Sequence, residues 1–476
     1  MTVAPAGAPP RGAPAAVPLP RGRRGSELAM LCFAVAIMAF AYASAGLGLN
    51  GHVPSGLVIY IGGFAVLMLA AHLAVRKLAP WADPLLLPLA AVLNGIGIVM
   101  IYRLQESGRG SNPGNVIRTL TEHAAAYQLM WTAVGIAAFV AVLALIREPR
   151  ILQRYTYTLG TVGLILLAIP AMLPGSLSSV QGAKVWIIIG GFSIQPGEFA
   201  RIALAVFFAG YLVRKRDVLS LAGRRLLGID LPRGRDLGPI LMLWAISMLI
   251  LIFESDIGTS ALFFGLFVAM LYLATQRKSW LLMGFGMFLA GSAVAGLLIP
   301  HVHERFSIWW DPFNPHNVAI AYQLLQGMEG MAFGGIFGTG LGQGQPYFTP
   351  LVQSDFIITG LGEELGLTGL MALLLIFGLL VQRGLRAAIA VRDPFAKLLA
   401  GGLAFVLALQ VFIIVGGVTE LIPLTGITTP FLSQGGSSLV ASWMVIALLL
   451  RVSDTARRPA PQPIQDEGLT QVVRAI

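Results

Sequence analysis

Long apolar stretches, separated by short polar segments, recur along almost the whole chain. A transmembrane helix needs about 20 consecutive, mostly apolar residues. Twelve stretches approach that length. They are Leu28–Leu49, Gly56–Val75, Pro84–Tyr102, Tyr127–Ile146, Tyr155–Leu173, Glu198–Val213, Gly238–Phe253, Thr259–Ala274, Trp280–Pro300, Ile358–Val381, Ala396–Val415 and Ser437–Leu450. The pattern predicts an all-α polytopic integral membrane protein.

The positive charges between these stretches predict which loops face the cytoplasm. Arginines and lysines cluster in every second loop, which is the distribution of cytoplasmic loops. The loop that holds Arg103, Arg109 and Arg118 is the main exception. Both termini are therefore expected inside, and the polar segment from Arg305 to Gly362 is expected outside.

Composition agrees with a membrane protein and argues against a nucleic-acid partner. Of 476 residues, 56% are hydrophobic and 11% are charged, and the mean hydropathy is +0.79. The net charge of +10 lies mostly in short loops beside apolar spans, as expected for cytoplasmic anchoring. The single cysteine, Cys32, excludes an intrachain disulfide.

The polar segment expected outside is the first place to look for chemistry, because lipid cannot satisfy irregular backbone. It carries Trp309, Trp310 and Phe313, aromatic residues typical of a membrane interface, with Asp311 among them. A carboxylate beside apolar rings has a raised pKa and can act as a general base. The glycine-rich run GGIFGTGLGQGQ that follows lacks the GK[ST] of a phosphate-binding loop, so its glycines indicate close backbone packing.

Further polar residues lie at the predicted ends of spans. Glu198 and Arg201 share one helix face, either as a structural ion pair or in an external cavity. Asp256 either caps the next helix or holds a substrate or cation. Asp355, Glu363 and Glu364 flank the entry to a span, one as a functional group and the others as caps. Ser437 and Ser438 are expected to cap the last span, with contact to an anion as the alternative.

Several of these motifs together resemble the SEDS family of bacterial shape, elongation, division and sporulation proteins, which includes RodA and FtsW. The matching pieces, in the family's order, are GAKVWIIIGGFSIQPGEFAR, SDIGTS, the WDP and YQ region, GTGLGQG, SDFIITGLGEELGLTG and PLTGITTPFLSQGGSS. The resemblance favours a RodA-type member of the kind found in high-GC Gram-positive bacteria.

The resemblance implies a division of the chain. Residues 81–453 form the family's core of about ten helices, with a large outer loop at 301–362. Residues 27–80 form two extra N-terminal helices. Residues 1–26 are a disordered cytoplasmic tail, and residues 454–476 are a second cytoplasmic tail.

The resemblance also implies an activity and a site. The family polymerises lipid II into glycan strands on the outer face of the cytoplasmic membrane, with a class B penicillin-binding protein as transpeptidase partner. Asp311 is then the catalytic base, and Arg201, Arg305 and Lys184 face the pyrophosphate. The other expected substrate-binding residues are Glu198, Asp256, Asn314, Tyr322, Gln323, Asp355, Glu363, Glu364, Ser437 and Ser438. A divalent cation, Mg or Mn, is an optional participant, because no metal-ligand spacing requires one.

The chain departs from the family pattern at the position of the usual base. The family's aspartate stands in a DP-x-G-x-G-Y context, whereas this chain has NPHNVAIAY, with Asn314 before the proline and His316 at the six-residue offset from Tyr322. Either Asp311 acts in its place, or Asn314 marks weakened or lost catalysis. Gly197 and Arg201 also replace the family's usual serine and lysine. A lipid II flippase and a non-catalytic scaffold of a penicillin-binding protein remain the alternatives to a polymerase.

Overall fold

We analysed a computed structural model of the chain. The structure describes residues 24–110, 123–180, 183–189, 192–220 and 256–459, with the short strands 224–226 and 229–231 and the isolated residues 245 and 249. Apart from residues 245 and 249, the predicted span Gly238–Phe253 lies outside the described residues, as do most of the two predicted tails. Helix α1 begins at Arg24, within the predicted N-terminal tail.

The described part of the chain is almost entirely helical, as predicted. The helices are α1 (Arg24–Asn50), α2 (Leu57–Leu78), α3 (Leu86–Gly110), α4 (Ala124–Leu145), α5 (Arg150–Arg154), α6 (Thr156–Met172), α7 (Gly175–Ser178), α8 (Pro196–Ser220), α9 (Ile257–Thr275), α10 (Lys278–Leu298), α11 (Pro300–Trp310), α12 (Val318–Gly334), α13 (Ile357–Ala390), α14 (Pro394–Val418) and α15 (Gly436–Arg457). Within the described ranges, ten helices are long and apolar enough to cross a membrane. The predicted span Tyr155–Leu173 is the shorter apolar helix α6.

Three short antiparallel hairpins supplement the helices. They are β1 (Ser179–Val180) with β2 (Ala183–Lys184), β3 (Ile187–Ile189) with β4 (Phe192–Ile194), and β5 (Arg224–Leu226) with β6 (Ile229–Leu231). The β3–β4 hairpin leads directly into α8.

The helices divide into a central group and a lipid-facing group. The apolar windows of α3, α8 and α15 are 83%, 83% and 89% buried, whereas that of α10 is only 11% buried. A span that is apolar all round but buried on few sides is expected to face lipid. Helix α10 is therefore peripheral, while α3, α8 and α15 lie at the centre of the helix bundle.

The N-terminal helices α1 and α2 are anchored to the rest of the protein by polar contacts. Arg24 donates to the carbonyls of Ala79 and Ala82 and pairs with the buried Glu27. Glu27 also contacts His72 of α2, at 2.8 Å to Nδ1. A buried charge is costly unless it is paired, so these contacts fix the two helices to the segment that begins α3.

The segment expected to be a long outer loop is mostly helical. It contains the two helices α11 and α12, and α12 packs along α13. Pro300 stands at the first position of α11, where its missing N–H removes no hydrogen bond. The segment is polar, as predicted, but its backbone lacks α-helix only between α11 and α12, at 311–317, and between α12 and α13, at 335–356.

Helix α13 is broken at Gly366, where φ is 68° and ψ is −173°. The backbone groups freed by the break bond to the glycine segment, residues 335–344. Leu367 and Thr368 donate to the carbonyls of Gly335 and Ile336, and Thr339 and Gly340 donate to those of Glu363 and Glu364, all at 3.0 Å. Irregular backbone is tolerated near a membrane when protein groups satisfy it, and the glycine segment supplies those groups.

The expected close packing of these glycines is confirmed. A Cβ added to Gly338 would lie 2.2 Å from the Glu364 carbonyl oxygen, and one on Gly342 would lie 2.5 Å from the Ala45 carbonyl oxygen. Gly48 of α1 approaches the same segment, since its Cβ would lie 2.3 Å from the Leu341 carbonyl oxygen. The glycine segment is thus held between α1 and α13.

Candidate functional site

Helix α11 directs two side chains toward the loop that joins α14 to α15. Arg305 Nη1 donates to the Leu424 carbonyl at 2.6 Å, and Trp309 Nε1 donates to the Glu420 carbonyl at 2.9 Å. The two residues are four apart and therefore share one helix face. Helix α11 is thus fixed against this loop, and the Arg305 guanidinium lies at the contact.

Asp355 lies beside Arg305, in the turn just before α13. A Cβ placed on Gly426 would lie 3.5 Å from Arg305 Nη2 and 3.8 Å from Asp355 Oδ2, so the two charged groups meet at that glycine. Burial raises the pKa of Asp355 to about 6, and the charge of Arg305 opposes the increase. The Asp355 Oδ1 atom is buried and has no hydrogen-bond partner among the described residues.

Asp256 is a third charged residue, and its charge interacts with that of Arg305. Its side chain accepts a hydrogen bond from the backbone N–H of Thr259 at 2.9 Å, which confirms the predicted helix cap. Burial raises the pKa of Asp256, while the bond from Thr259 and the charge of Arg305 oppose the increase. Burial lowers the pKa of the Arg305 guanidinium, and the charges of Asp355 and Asp256 oppose that change. We call Asp256, Arg305 and Asp355 the outer charged cluster.

A second polar group also contacts the α14–α15 loop. Arg201 pairs with Glu198, as the shared helix face predicted, and donates through Nη1 to Gln410 Oε1 at 2.7 Å. Gln410 in turn donates to the Thr428 carbonyl at 2.9 Å. Arg201 and Glu198 are buried, so the guanidinium predicted to meet the pyrophosphate is engaged within the protein.

Ser437 and Ser438 do not cap α15, contrary to the prediction. The residue before α15 is Gly435, and the helix start has no side-chain cap. Ser437 Oγ accepts from the backbone N–H of Gln195 at 3.1 Å, and Ser438 Oγ is bonded to Thr428 Oγ1 at 3.0 Å. Both hydroxyls therefore have long-range partners that sequence spacing alone does not reveal.

Asp311 lies among aromatic side chains, as predicted. The residue is nevertheless exposed. Asp311 and Asn314 line an open cavity of about 450 Å³. The other lining residues are His303, Phe306, Ser307, Trp309, Trp310 and Asn317. Because Trp309 also contacts the α14–α15 loop, the cavity adjoins the outer charged cluster.

Asn314 and Asn317 shape the turn that carries Asp311. Asn314 Oδ1 accepts from the backbone N–H of His316 at 3.1 Å, and Asn317 Nδ2 donates to the Asp311 carbonyl at 2.9 Å. Asparagine side chains commonly replace backbone groups in such turns. The NPHN sequence therefore has a structural role in this chain.

Glu363 and Glu364 lie within α13 and are not caps, which corrects the prediction for these residues. Glu363 accepts from the backbone N–H of Gln345, and Glu364 pairs with Arg103. Arg103 also donates to the Gly344 carbonyl at 2.5 Å. This role of Arg103 was not predicted from the sequence, although the residue was already an exception to the distribution of positive charge.

The remaining predicted residues lie outside these groups. Tyr322 is half-exposed on α12, and Gln323 donates to the Pro350 carbonyl at 3.0 Å. Lys184 is exposed on the β1–β2 hairpin. No three His, Cys, Asp or Glu side chains of the described residues are arranged to hold one metal ion. Asp256 and Asp355 could supply the one or two carboxylates that Mg²⁺ needs beside a diphosphate.

Comparison with known proteins identifies the family. The model of the family described as cell cycle proteins of the FtsW, RodA and SpoVE type matches residues 84–458. This chain belongs to that family.

Curated relatives show which members it resembles. The peptidoglycan glycosyltransferase RodA of Mycobacterium tuberculosis is 49% identical over 94% of this chain and 94% of its own length. The RodA of Mycobacterium leprae is 48% identical over 93% and 92%. The probable peptidoglycan glycosyltransferase FtsW of Geobacter metallireducens is 31% identical over 78% and 94%.

The chain is therefore a RodA-type member of the FtsW, RodA and SpoVE family, as predicted. The family match begins at residue 84, so helices α1 and α2 lie before it. A solved chain from work described as structural coordination of polymerization and crosslinking by a peptidoglycan synthase complex has the same fold. Its TM-score is 0.51 at 23% identity, and the match covers 83% of this chain and 96% of that one.

Proposed function

We propose that this chain is a peptidoglycan glycosyltransferase that polymerises lipid II on the outer face of the cytoplasmic membrane. The observation that carries the proposal is the outer charged cluster, which places two carboxylates and a guanidinium at one end of the helix bundle. An arginine suits a phosphate leaving group, and a carboxylate suits general-base catalysis. Relatives at 49% identity carry the name of this enzyme class.

The reaction needs three contributions from the protein. A base takes the proton of the acceptor sugar's 4-hydroxyl as its oxygen attacks the anomeric carbon of the donor strand. A cation stabilises the polyprenyl pyrophosphate that leaves, and Arg305 is the candidate of the outer charged cluster. A cavity holds the sugar, and the aromatic cavity around Asp311 adjoins that cluster. A divalent cation bound with the pyrophosphate would add positive charge at the leaving group.

The orientation and the partner are part of the same proposal. Cytoplasmic termini place α11, α12 and the outer charged cluster on the exterior, where lipid II would be polymerised. A class B penicillin-binding protein would cross-link the strands as they form. The fold shared with a chain of a peptidoglycan synthase complex supports this partner. The role in cell elongation or shape follows from the RodA-type relatives, with division as the alternative.

Glycan polymerisation from fluorescent lipid II tests the proposal. The purified chain is reconstituted with a class B penicillin-binding protein from the same organism, and products are separated by length. We expect long, lysozyme-sensitive strands. Product formation that depends entirely on an added glycosyltransferase would contradict the proposal and favour a scaffold, whereas lipid II translocation in vesicles without polymer would favour a flippase. The Asn314→Asp variant is measured beside the wild type. Polymerisation by this variant but not by the wild type would show that the chain is a family member that has lost its catalytic activity.

A further inference from the structure

Helix α5 is a short helix held between the ends of two membrane helices. Arg150 donates through Nε to Asp393 at 2.6 Å, and Asp393 in turn caps α14. Arg214 of α8 donates to the Gln153 carbonyl at 3.4 Å. These contacts fix α5 against the start of α14 and the later turns of α8, at the end of the bundle that is predicted to be cytoplasmic.

Exposed positive charge is concentrated around α5. Arg150 and Arg154 lie four residues apart and therefore share one face of the helix. The exposed basic side chains of α5, of the residues just before it and of α8 are Arg147, Arg150, Arg154, Arg214, Lys215 and Arg216, which we call the inner basic patch. Of the acidic side chains that the structure describes beside them, Glu148 is exposed and Asp393 is already paired with Arg150. The patch therefore keeps a positive charge that its own ion pairs do not cancel.

Apolar and aromatic side chains are exposed beside these charges. Leu145, the last residue of the span α4, is 78% exposed, and Tyr155 and Tyr157 are 49% and 56% exposed. The Arg214 guanidinium lies 5.3 Å from the centre of the Tyr157 ring, which is a cation–π arrangement. Tyrosines next to the end of an apolar span are typical of the headgroup level of a bilayer. The inner basic patch thus adjoins the lipid phase.

We propose that the inner basic patch binds the headgroup of an anionic phospholipid, whose acyl chains lie along the exposed ends of α4 and α6. An arginine guanidinium presents parallel N–H groups to a phosphate. Basic pockets between membrane helices on the cytoplasmic side suit anionic headgroups for this reason. The patch lies at the start of α14, whereas Arg305 of the outer charged cluster contacts the loop after its end. The site is therefore separate from the outer charged cluster and does not depend on the proposed glycosyltransferase activity.

The surroundings favour a lipid over the other anions that a basic patch could bind. Inorganic phosphate would leave the exposed Leu145 and Ile151 side chains uncovered. An acidic peptide would have to reach side chains at the edge of the bilayer. A phospholipid satisfies both sets of groups, because its phosphate meets the arginines while its acyl chains cover the apolar side chains. A bound headgroup would also link α5 to α8, so the lipid should stabilise the folded protein.

Native mass spectrometry of the purified full-length chain in detergent tests the proposal. Dioleoyl phosphatidylglycerol and dioleoyl phosphatidylcholine are titrated separately, because they share acyl chains and differ in headgroup charge. We expect tighter binding of phosphatidylglycerol. Arg147→Gln combined with Arg154→Gln, the α5 variant, should weaken that binding by about 25-fold, since each arginine near an anionic surface contributes about a factor of five. The matched control, the α2 variant, combines Arg76→Gln with Lys77→Gln, two exposed basic residues at the end of α2, and should keep the wild-type affinity.

Thermal unfolding in the same detergent gives a second readout. Phosphatidylglycerol should raise the Tm of the wild type and of the α2 variant, but not that of the α5 variant. Without lipid, all three proteins should unfold at similar temperatures, because the replaced side chains are exposed. If the α5 variant does not fold, Arg154→Gln alone takes its place, with an expected loss of about fivefold in affinity.

Equal affinity for the two lipids, or an equal loss of affinity in the α5 and α2 variants, would overturn the proposal. Glycerol phosphate that binds as tightly as phosphatidylglycerol would also overturn it, since the site would then recognise a free phosphate group. Polyglutamate that binds the wild type but not the α5 variant, with no preference between the lipids, would instead identify a docking surface for an acidic protein. Phosphatidylglycerol binding that is lost only in the α5 variant would support the lipid site, whether or not the chain polymerises lipid II.

Discussion

Arg103 departs from the rule that arginine and lysine are concentrated on the cytoplasmic side, and its packing explains why. It lies near the end of α3 that is predicted to be outside, where few positive charges are expected. The structure buries it with Glu364, the Gly344 carbonyl and Ser107 as partners. The charge is therefore neutralised inside the protein and does not report on the side of the membrane.

Replacing Arg103 is expected to destabilise the protein strongly. Arg103→Gln would leave the buried Glu364 without its cation, and removal of one partner of a buried pair typically costs about 3–5 kcal/mol. Arg150→Gln is the matched control, because Arg150 is exposed and pairs with Asp393, an interaction worth at most about 1 kcal/mol. Thermal unfolding in detergent measures both. Equal losses of stability in the two variants would contradict the interpretation of Arg103.

Residue roles were predicted well when their partners are close in sequence. The cap by Asp256 and the pair of Glu198 with Arg201 span three residues each, so spacing on a helix determines them. Ser437 instead meets Gln195, and Glu364 meets Arg103. Those partners lie more than two hundred residues away and depend on how the helices pack. The exposure of Asp311 could not be predicted for the same reason, since exposure is a tertiary property.

At the scale of elements, the break in α13 and the glycine segment form one unit. The helix loses its own hydrogen bonds at Gly366, and residues 335–340 replace them. The replacement brings the two backbones into contact at Gly338 and Gly366, where an added Cβ would lie 2.2 Å from a backbone atom of the other segment. The sequence predicted the close packing from the density of glycines, but it did not predict the break, because the hydrophobic run continues through it.

The contact between α1 and this segment is expected to tolerate no added methyl group. A Cβ on Gly48 would lie 2.3 Å from a backbone oxygen, whereas one on Gly62 of α2 would meet nothing within 4 Å. Gly48→Ala should therefore lower stability by about 1–3 kcal/mol through overpacking. Gly62→Ala should have no effect or a stabilising effect of up to about 1 kcal/mol.

Thermal unfolding and glycan polymerisation of both glycine variants provide the measurement. If Gly48→Ala unfolds at the same temperature as Gly62→Ala, helix α1 does not press on the glycine segment. A loss of stability confined to Gly48→Ala would show that the N-terminal helices support the part of α13 that carries Glu363 and Glu364.

At the scale of the whole molecule, the class and family were the most predictable properties. Spans of apolar residues are dictated by the thickness of the bilayer, so most of their positions agree with the observed helices. The predicted family and enzyme class are confirmed by relatives at 49% identity. The least predictable property was how the outer segment folds, because its helices α11 and α12 are too short or too polar to stand out as spans.

The orientation makes a prediction for the whole molecule. In a Cys32→Ser background, Glu329→Cys on α12 should react with a membrane-impermeant maleimide in intact cells, and Lys278→Cys at the start of α10 should react only after the membrane is opened. Lys278 lies at the start of α10, which is predicted to be cytoplasmic, and Glu329 lies in the segment that follows the opposite end of α10. The reverse labelling would place the outer charged cluster in the cytoplasm, where polymerisation of exported lipid II could not occur.

The approach of Gly48 to Leu341 also constrains how the protein is made. Chains enter the membrane from the N-terminus as they are synthesised, and these residues are on the order of 300 positions apart. Helix α1 is therefore inserted long before the segment that covers its glycine face exists. During that interval lipid or water must occupy the face, and the glycine segment must displace it when it arrives. A ribosome that stalls before Leu341 would leave a membrane intermediate with this face open.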